Sequence, residues 1–359
     1  REAPLRKESP SELRLLVMGD SFTEGIGVDA QDRFTEILER EASGPERRVS
    51  LINCGLGGQG PFEYARMCHD VGLRYEADGA LFVLYANDVW DTSPHADVRV
   101  SASGRAYFRV PRIGWARWVH ALWPRFYTLL KQFQYARSQR MVFQEADDWA
   151  SYILGEARSR GIPEERIRGW RERVPARYFQ AANQHRFNGW ILARGLLDPD
   201  LWVQSMDISD PEAEAKWNAA ARILAASVEL CRRRKLWVGF VYTPSDFEIQ
   251  QTWRPMMETA GFTVRDQWKT NTTELEKRLA AWAREHSVPF LSLTEHFRSA
   301  ARRRPGALYF PLDGHWTPAG HRTAADALLP WLRDQEPFRT PTLARGAAPA
   351  PVAPATPTR

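Results

Sequence analysis

Cysteine is scarce in this sequence. The three that occur, Cys54, Cys68 and Cys231, form an odd set without metal-ligand spacing, which excludes a disulfide scaffold and a cysteine-based metal module. Cys54 and Cys231 fall inside apolar patterns, so buried free thiols are expected. Long apolar runs are missing as well. The longest, at 81–86 and 238–242, are strand-sized, whereas a membrane helix needs roughly 18 or more apolar residues. Lysine is rare: six positions carry it, so 43 of the 49 basic residues are arginine. The arginines are dispersed among 44 acids, the net charge of +5 forms no tract, and no nucleic-acid partner is expected. Internal repeats are absent, and no glycine cluster is followed by the lysine of a phosphate loop.

What is present reads as one elaborated globular domain or two small ones. Of 359 residues, 43% are hydrophobic and 26% charged, a balance that supports a sizeable core. Strands are expected at 13–18, 49–53 and 79–85, with helices at 34–41 and 62–73 between them. The run at 79–85 is apolar without alternation, as in a parallel strand covered on both faces. The same grammar returns late. A helix over 212–234 places Trp217, Ala221, Leu224, Val228 and Cys231 on one face ahead of a strand at 236–243. A second helix over 271–286 carries Leu275, Leu279 and Trp282, and is followed by a strand at 288–293. Pro318 opens a closing helix over 318–332. This order predicts a three-layer α/β/α sandwich on a five-stranded parallel sheet.

The organisation expected is a lead-in at 1–12, one α/β domain split over 13–91 and 212–335, and an insertion at 92–211. The insertion is far longer than an ordinary crossover. Its aromatics, among them Trp115, Trp118, Trp123, Trp149, Trp170 and Trp190, fall in helix-like stretches, so it reads as a helical cap over one end of the sheet. Core tryptophans explain the pattern better than substrate contacts do. Residues 336–359 are rich in Pro, Ala and Thr without periodicity, as expected of a disordered tail or linker.

Four segments carry chemistry. Gly19-Asp20-Ser21 follows the first strand, where open α/β sheets present reactive groups; Ser21 fits a nucleophile, and Asp20 and Ser21 fit helix caps equally. The G-x-S-x-G elbow is not there. After the second strand, the glycines around Gly57, Gly58 and Gly60 let backbone N–H groups approach a ligand, or simply form a turn. The third strand ends in Asn87, whose amide suits a developing oxyanion and also an Asx-turn. Near the end, Asp313-Gly314-His315-Trp316 sets an acid two residues before a histidine, so that the acid can orient the imidazole. Asp313 also fits a turn or cap. His321 is a rival base, but it falls inside the closing helix, where a structural role is expected.

Together these segments resemble the SGNH, or GDSL, hydrolase superfamily, over 13–91 and 212–332. The resemblance implies a flavodoxin-like sheet with Ser21 as nucleophile, His315 as base and Asp313 as its orienter. It assigns the oxyanion hole to Ser21, Gly58 and Asn87, with no metal and no cofactor. The D-x-H-W form is similar to the branch holding extracytoplasmic polysaccharide O-acetylation proteins and lipase-like esterases. That implies a small-molecule or carbohydrate ester as substrate and an extracytoplasmic, periplasmic-type location. Composition leaves the compartment open, since a leader ahead of Arg1 would lie outside this sequence. One departure is visible: Tyr85 stands where the family usually has glycine, which narrows the site near the oxyanion or marks a divergent subfamily.

The function expected is a serine esterase that hydrolyses a short-chain, acetyl-like ester through an acyl-serine intermediate. Two other readings are an O-acyltransferase acting on a polysaccharide and a non-catalytic binding or assembly module of the same fold. Retention of Ser21, Gly58, Asn87, Asp313 and His315 together argues against the last.

Overall fold

The computed structural model describes residues 4–45, 47–109, 148–184, 186–303 and 306–339. Trp115, Trp118 and Trp123 lie outside the described residues, as does 340–359.

Five parallel strands make the main sheet: β1 (Leu13–Gly19), β2 (Val49–Gly55), β3 (Gly79–Tyr85), β6 (Trp237–Thr243) and β7 (Phe290–Ser292). Their order is β2-β1-β3-β6-β7, so the chain runs outward from β1 to one edge, crosses back, and builds the other edge. β1 and β3 are central and buried along their whole length; β3 reads as an unbroken apolar run, whereas β1 is interrupted by Arg14, whose buried guanidinium is paired with Glu12. The register pairs Leu13 with Val49 and Gly79 with Trp237. β7 is shorter than the 288–293 expected, with ladder pairing from Phe290 to Ser292. Pro289 has no N–H to give, though its carbonyl still accepts from Phe240.

The helices before the insertion are α1 (Ser21–Glu24), α2 (Phe34–Ala42), α3 (Pro61–Asp70) and α4 (Asn87–Asp91). Those of the insertion are α5 (Trp149–Ser159), α6 (Glu164–Arg173), α7 (Ala176–Asn183), α8 (Gly189–Leu197) and α9 (Leu201–Asp207). After it come α10 (Pro211–Arg233), α11 (Asp246–Ile249), α12 (Arg254–Ala260), α13 (Glu274–Glu285), α14 (Thr294–Arg303) and α15 (Pro318–Arg333). Successive strand residues face opposite layers. Phe240 meets Trp282 of α13, with ring centroids 5.2 Å apart, while Gly239 faces Trp331 of α15. α3 packs with α10 in the first layer, and α2 and α14 pack with α15 in the second.

The insertion is not wholly helical. It begins with an antiparallel hairpin, β4 (Asp97–Val100) and β5 (Ala106–Arg109), in which Asp97 pairs with Arg109. Four-residue alternations such as buried Val98 beside exposed Arg99 are too short to stand out from a helical background. Trp149 and Trp170 are buried, and the Trp170 indole donates to the Ala260 carbonyl at 2.6 Å. Phe338, within the segment expected as tail, is buried and packs on Trp237.

Candidate active site

Ser21 opens the first turn after β1. Asp20 holds the N-cap, its Oδ1 accepting the Phe22 N–H at 2.9 Å. The cap that either residue could have supplied therefore belongs to Asp20, and the Ser21 hydroxyl faces His315, whose Nε2 lies 2.7 Å from Oγ. On the other side of the ring, Nδ1 is 2.9 Å from Asp313 Oδ2.

Asp313 and His315 share a turn closed by three backbone bonds, from Phe310 N–H to the His315 carbonyl and from the Asp313 and Gly314 N–H groups to the Phe310 carbonyl. Gly314 has φ of 76°, and a Cβ there would lie 2.6 Å from Trp253; both facts demand glycine. Trp316 is wedged in the core against Phe22, Phe34 and Phe297. That indole anchors the turn and fixes the neighbouring imidazole. Burial opposes a charge on His315, but the hydrogen bond and charge of Asp313, with Asp20 and Glu24, outweigh it and lift the imidazole above its ordinary pKa.

Beneath Ser21 lies a buried acid pair. Burial pushes Asp20 up to about 6 against the Phe22 hydrogen bond and the charge of His315. Burial and the charge of Asp20 also push the Asp88 carboxyl well above its ordinary range. It accepts from the Tyr64 hydroxyl at 2.9 Å and from the Tyr85 N–H at 3.0 Å.

Gly58 has φ of 71°, and nothing lies within 4 Å of where a Cβ would stand, so the side-chain direction at this position is open. The N–H groups of Ser21 and Gly58 have no acceptor among the described residues. Glu24 holds this loop from the α1 side, accepting the Gly57 N–H at 2.8 Å. Glu24 belongs to no motif; its place three residues after Ser21 is the hint available. Asn87 caps nothing: its amide donates to Asp91 at 2.7 Å, so no Asx-turn forms. His321 is a core residue, accepting from the Phe34 N–H at 3.3 Å and pushed down to about 4 by burial and by Arg33.

Ser21, Gly58, Asn87, Asp313 and His315 line one cavity of about 390 Å³. Its opposite wall comes from the insertion, through Trp190, Ile191 and Arg194 of α8 and Leu201 and Trp202 of α9, and from Trp253, Met257 and Phe262 beyond β6. Tyr85 forms part of this lining, its ring 4.3 Å from Phe22 and 6.0 Å from Trp202. Two cations lie over the Trp90 ring, Arg194 at 4.5 Å and Lys216 at 4.6 Å from its centre. None of these wall residues carries a sequence motif. Among the described residues no His, Cys, Asp and Glu cluster is placed to hold a metal, and no helix is long and apolar enough to cross a membrane.

Strand order and the cavity define a class: a doubly wound α/β fold with a Ser–His–Asp hydrogen-bonded chain at the carboxyl end of its sheet. No protein-family model matches the chain, and no curated protein does. Solved structures do match. One is a member of the lipolytic G-D-S-L family from Veillonella parvula, 13% identical, with 90% of this chain and 100% of that one covered and a TM-score of 0.40. A catalytic mutant of an acetylxylan esterase from Geobacillus stearothermophilus is 13% identical, with 90% and 95% covered and a TM-score of 0.41. An α/β hydrolase from the metagenome of Lake Arreo is 15% identical, with 89% and 94% covered and a TM-score of 0.38.

Proposed function

We propose that this chain is a serine ester hydrolase of the SGNH/GDSL type, acting on a short-chain acyl ester through an acyl-serine intermediate. The observation that carries the reading is the continuous chain from Ser21 Oγ to His315 Nε2 and from His315 Nδ1 to Asp313, opening on a cavity. Ser21 Oγ bonds to the ester carbonyl carbon as His315 takes its proton, and Asp313 steadies the imidazolium. The carbonyl oxygen, now an anion, is met by the N–H groups of Ser21 and Gly58 and by the Asn87 amide. Collapse breaks the bond to the alcohol, which leaves with the proton from His315. Water repeats the sequence, frees the acid and restores Ser21.

The aromatic wall of α8 and α9 suits the alcohol portion of the ester, for which a carbohydrate is the candidate. The test is turnover of 4-nitrophenyl acetate together with fluorophosphonate labelling. Wild type is expected to hydrolyse the ester and take the label on Ser21, and Ser21→Ala to do neither. Labelling elsewhere, or an active Ser21→Ala, removes the reading. Adding a sugar acceptor separates hydrolysis from acyl transfer by the product formed.

A further inference from the structure

The Asn87 side chain is held in an asymmetric way. Its Nδ2 donates to Asp91 Oδ2 at 2.7 Å, while its Oδ1 is buried with no donor among the described residues. A buried acceptor left unpaired costs free energy. Turning the amide over would set its oxygen against the Asp91 carboxylate, since only an N–H can face that group. The carboxylate therefore decides the orientation, and the unpaired Oδ1 is its consequence.

The two residues stand four apart on α4 and share a helix face. An amide nitrogen carries two N–H groups diverging by about 120°. Asp91 takes one. The second has no acceptor among the described residues, and its residue lines the cavity with Ser21 and His315. Asp91 forms no ion pair among the described residues that would draw it away. Although its side chain meets solvent, desolvation within the cavity raises its carboxyl to about 6; the Asn87 hydrogen bond and the charges of Arg194 and Lys216 oppose the rise. The carboxylate is the main form at neutral pH.

We propose that Asp91 is a positioning residue, whose carboxylate holds the Asn87 amide so that its free N–H meets the carbonyl oxygen as that oxygen becomes an anion. The inference rests on the reading of Asn87 as an oxyanion donor. Asp91 lines the same cavity and its charge also reaches Asp20, but its one hydrogen bond to the site among the described residues is to Asn87, and its effect on the reaction is assigned to that bond. Removing it leaves the amide free to turn, and the cost falls on the transition state and not on substrate binding.

The experiment is a double-mutant cycle on 4-nitrophenyl acetate with the full chain. Asp91→Ala is expected to lower kcat by about ten-fold with KM within about two-fold. Asp91→Asn, whose amide oxygen still accepts, is expected to recover kcat to within about three-fold of wild type. In the Asn87→Ala background, Asp91→Ala should cost nothing more. Asp91→Leu, similar in shape but without an acceptor, should match Asp91→Ala, and thermal midpoints expose any loss due to unfolding. Equal losses in both backgrounds, no loss, or a loss confined to KM overturns the proposal. A wild type that neither turns over the ester nor labels at Ser21 sinks the ester reading, whereas an active wild type with an additive cycle sinks this inference alone.

Discussion

The two walls of the cavity are built in different ways. On the sheet side, Ser21, Gly58, Asn87 and His315 each sit within a few residues of a strand end or an anchoring core residue, and short polar bonds hold them: Asp20 to Phe22, Glu24 to Gly57, Asn87 to Asp91, Asp313 to His315. On the insertion side, Trp190 and Trp202 are held by ring contacts, Trp190 with Trp149 and Tyr152, Trp202 with Phe247 and Trp253. Polar bonds have direction and fix atoms to fractions of an ångström. Ring packing fixes shape and leaves the choice of side chain wider. The first wall suits bond-making and the second suits discrimination between substrates.

The sharpest way to break this contrast is at the nucleophile. Ser21→Ala should lower kcat/KM by roughly 10⁴-fold or more, with a thermal midpoint close to that of wild type, because the residue is on a site-facing turn and not in the core. Comparable activity in the variant would assign Ser21 to the helix start. One step weaker, Asn87→Ala should lower kcat by about 10²–10³-fold, as for one lost oxyanion donor. Unchanged kcat would leave Asn87 with no part beyond the start of α4.

The contrast also explains what could be read from the chain alone. The sheet-side residues travel with local signals: Ser21 follows an apolar strand after Gly19 and Asp20, and His315 comes two residues after Asp313 and directly before a core tryptophan. Strands β1, β3 and β6 were legible because burial on both faces favours apolar residues along most of each strand, Arg14 in β1 being the charged exception. Trp190, Arg194 and Trp202 carried no such signal, since nothing in a helical repeat says which aromatic turns toward a cavity formed with β1 and β3. Glu24 and Asp91 were hidden for a related reason: each works by a hydrogen bond whose partner is chosen by the folded chain. The hairpin β4–β5 escaped because two four-residue alternations carry too little pattern.

The insertion wall gives a smaller effect that sharpens the comparison. Trp202 is buried, so Trp202→Ala should destabilise the protein by about 3–5 kcal/mol. Trp190 is only half-buried and lines the cavity. Trp190→Ala should lower kcat/KM about ten-fold for a bulky glycoside ester while leaving 4-nitrophenyl acetate within about two-fold, because remote binding energy acts only on substrates that reach it. Measuring both esters beside the thermal midpoint decides it: equal losses on the two with a lowered midpoint would make Trp190 a packing residue.

The smallest effect on activity is expected at Glu248, which belongs to neither wall. It is buried behind the carboxyl end of β6, where it accepts from the Tyr242 hydroxyl at 3.0 Å and the Ser245 N–H at 2.8 Å. Burial raises its carboxyl to about 8, against the Ser245 hydrogen bond. The native protein therefore holds a proton that the unfolded chain has already released between about pH 4.5 and 8. Over that window the unfolded state binds fewer protons, so this group's contribution to stability falls as pH rises, by at most about 1.4 kcal/mol per pH unit. Glu248→Gln keeps an acceptor and removes the titration. Urea midpoints for both proteins at pH 5 and pH 8 should show wild type losing more stability than the variant over the interval, with kcat on the small ester within about two-fold at each pH. Parallel losses in the two proteins would mean that Glu248 is ionised in the fold, and that its charge is met by the Tyr242, Ser245 and Thr273 donors around it.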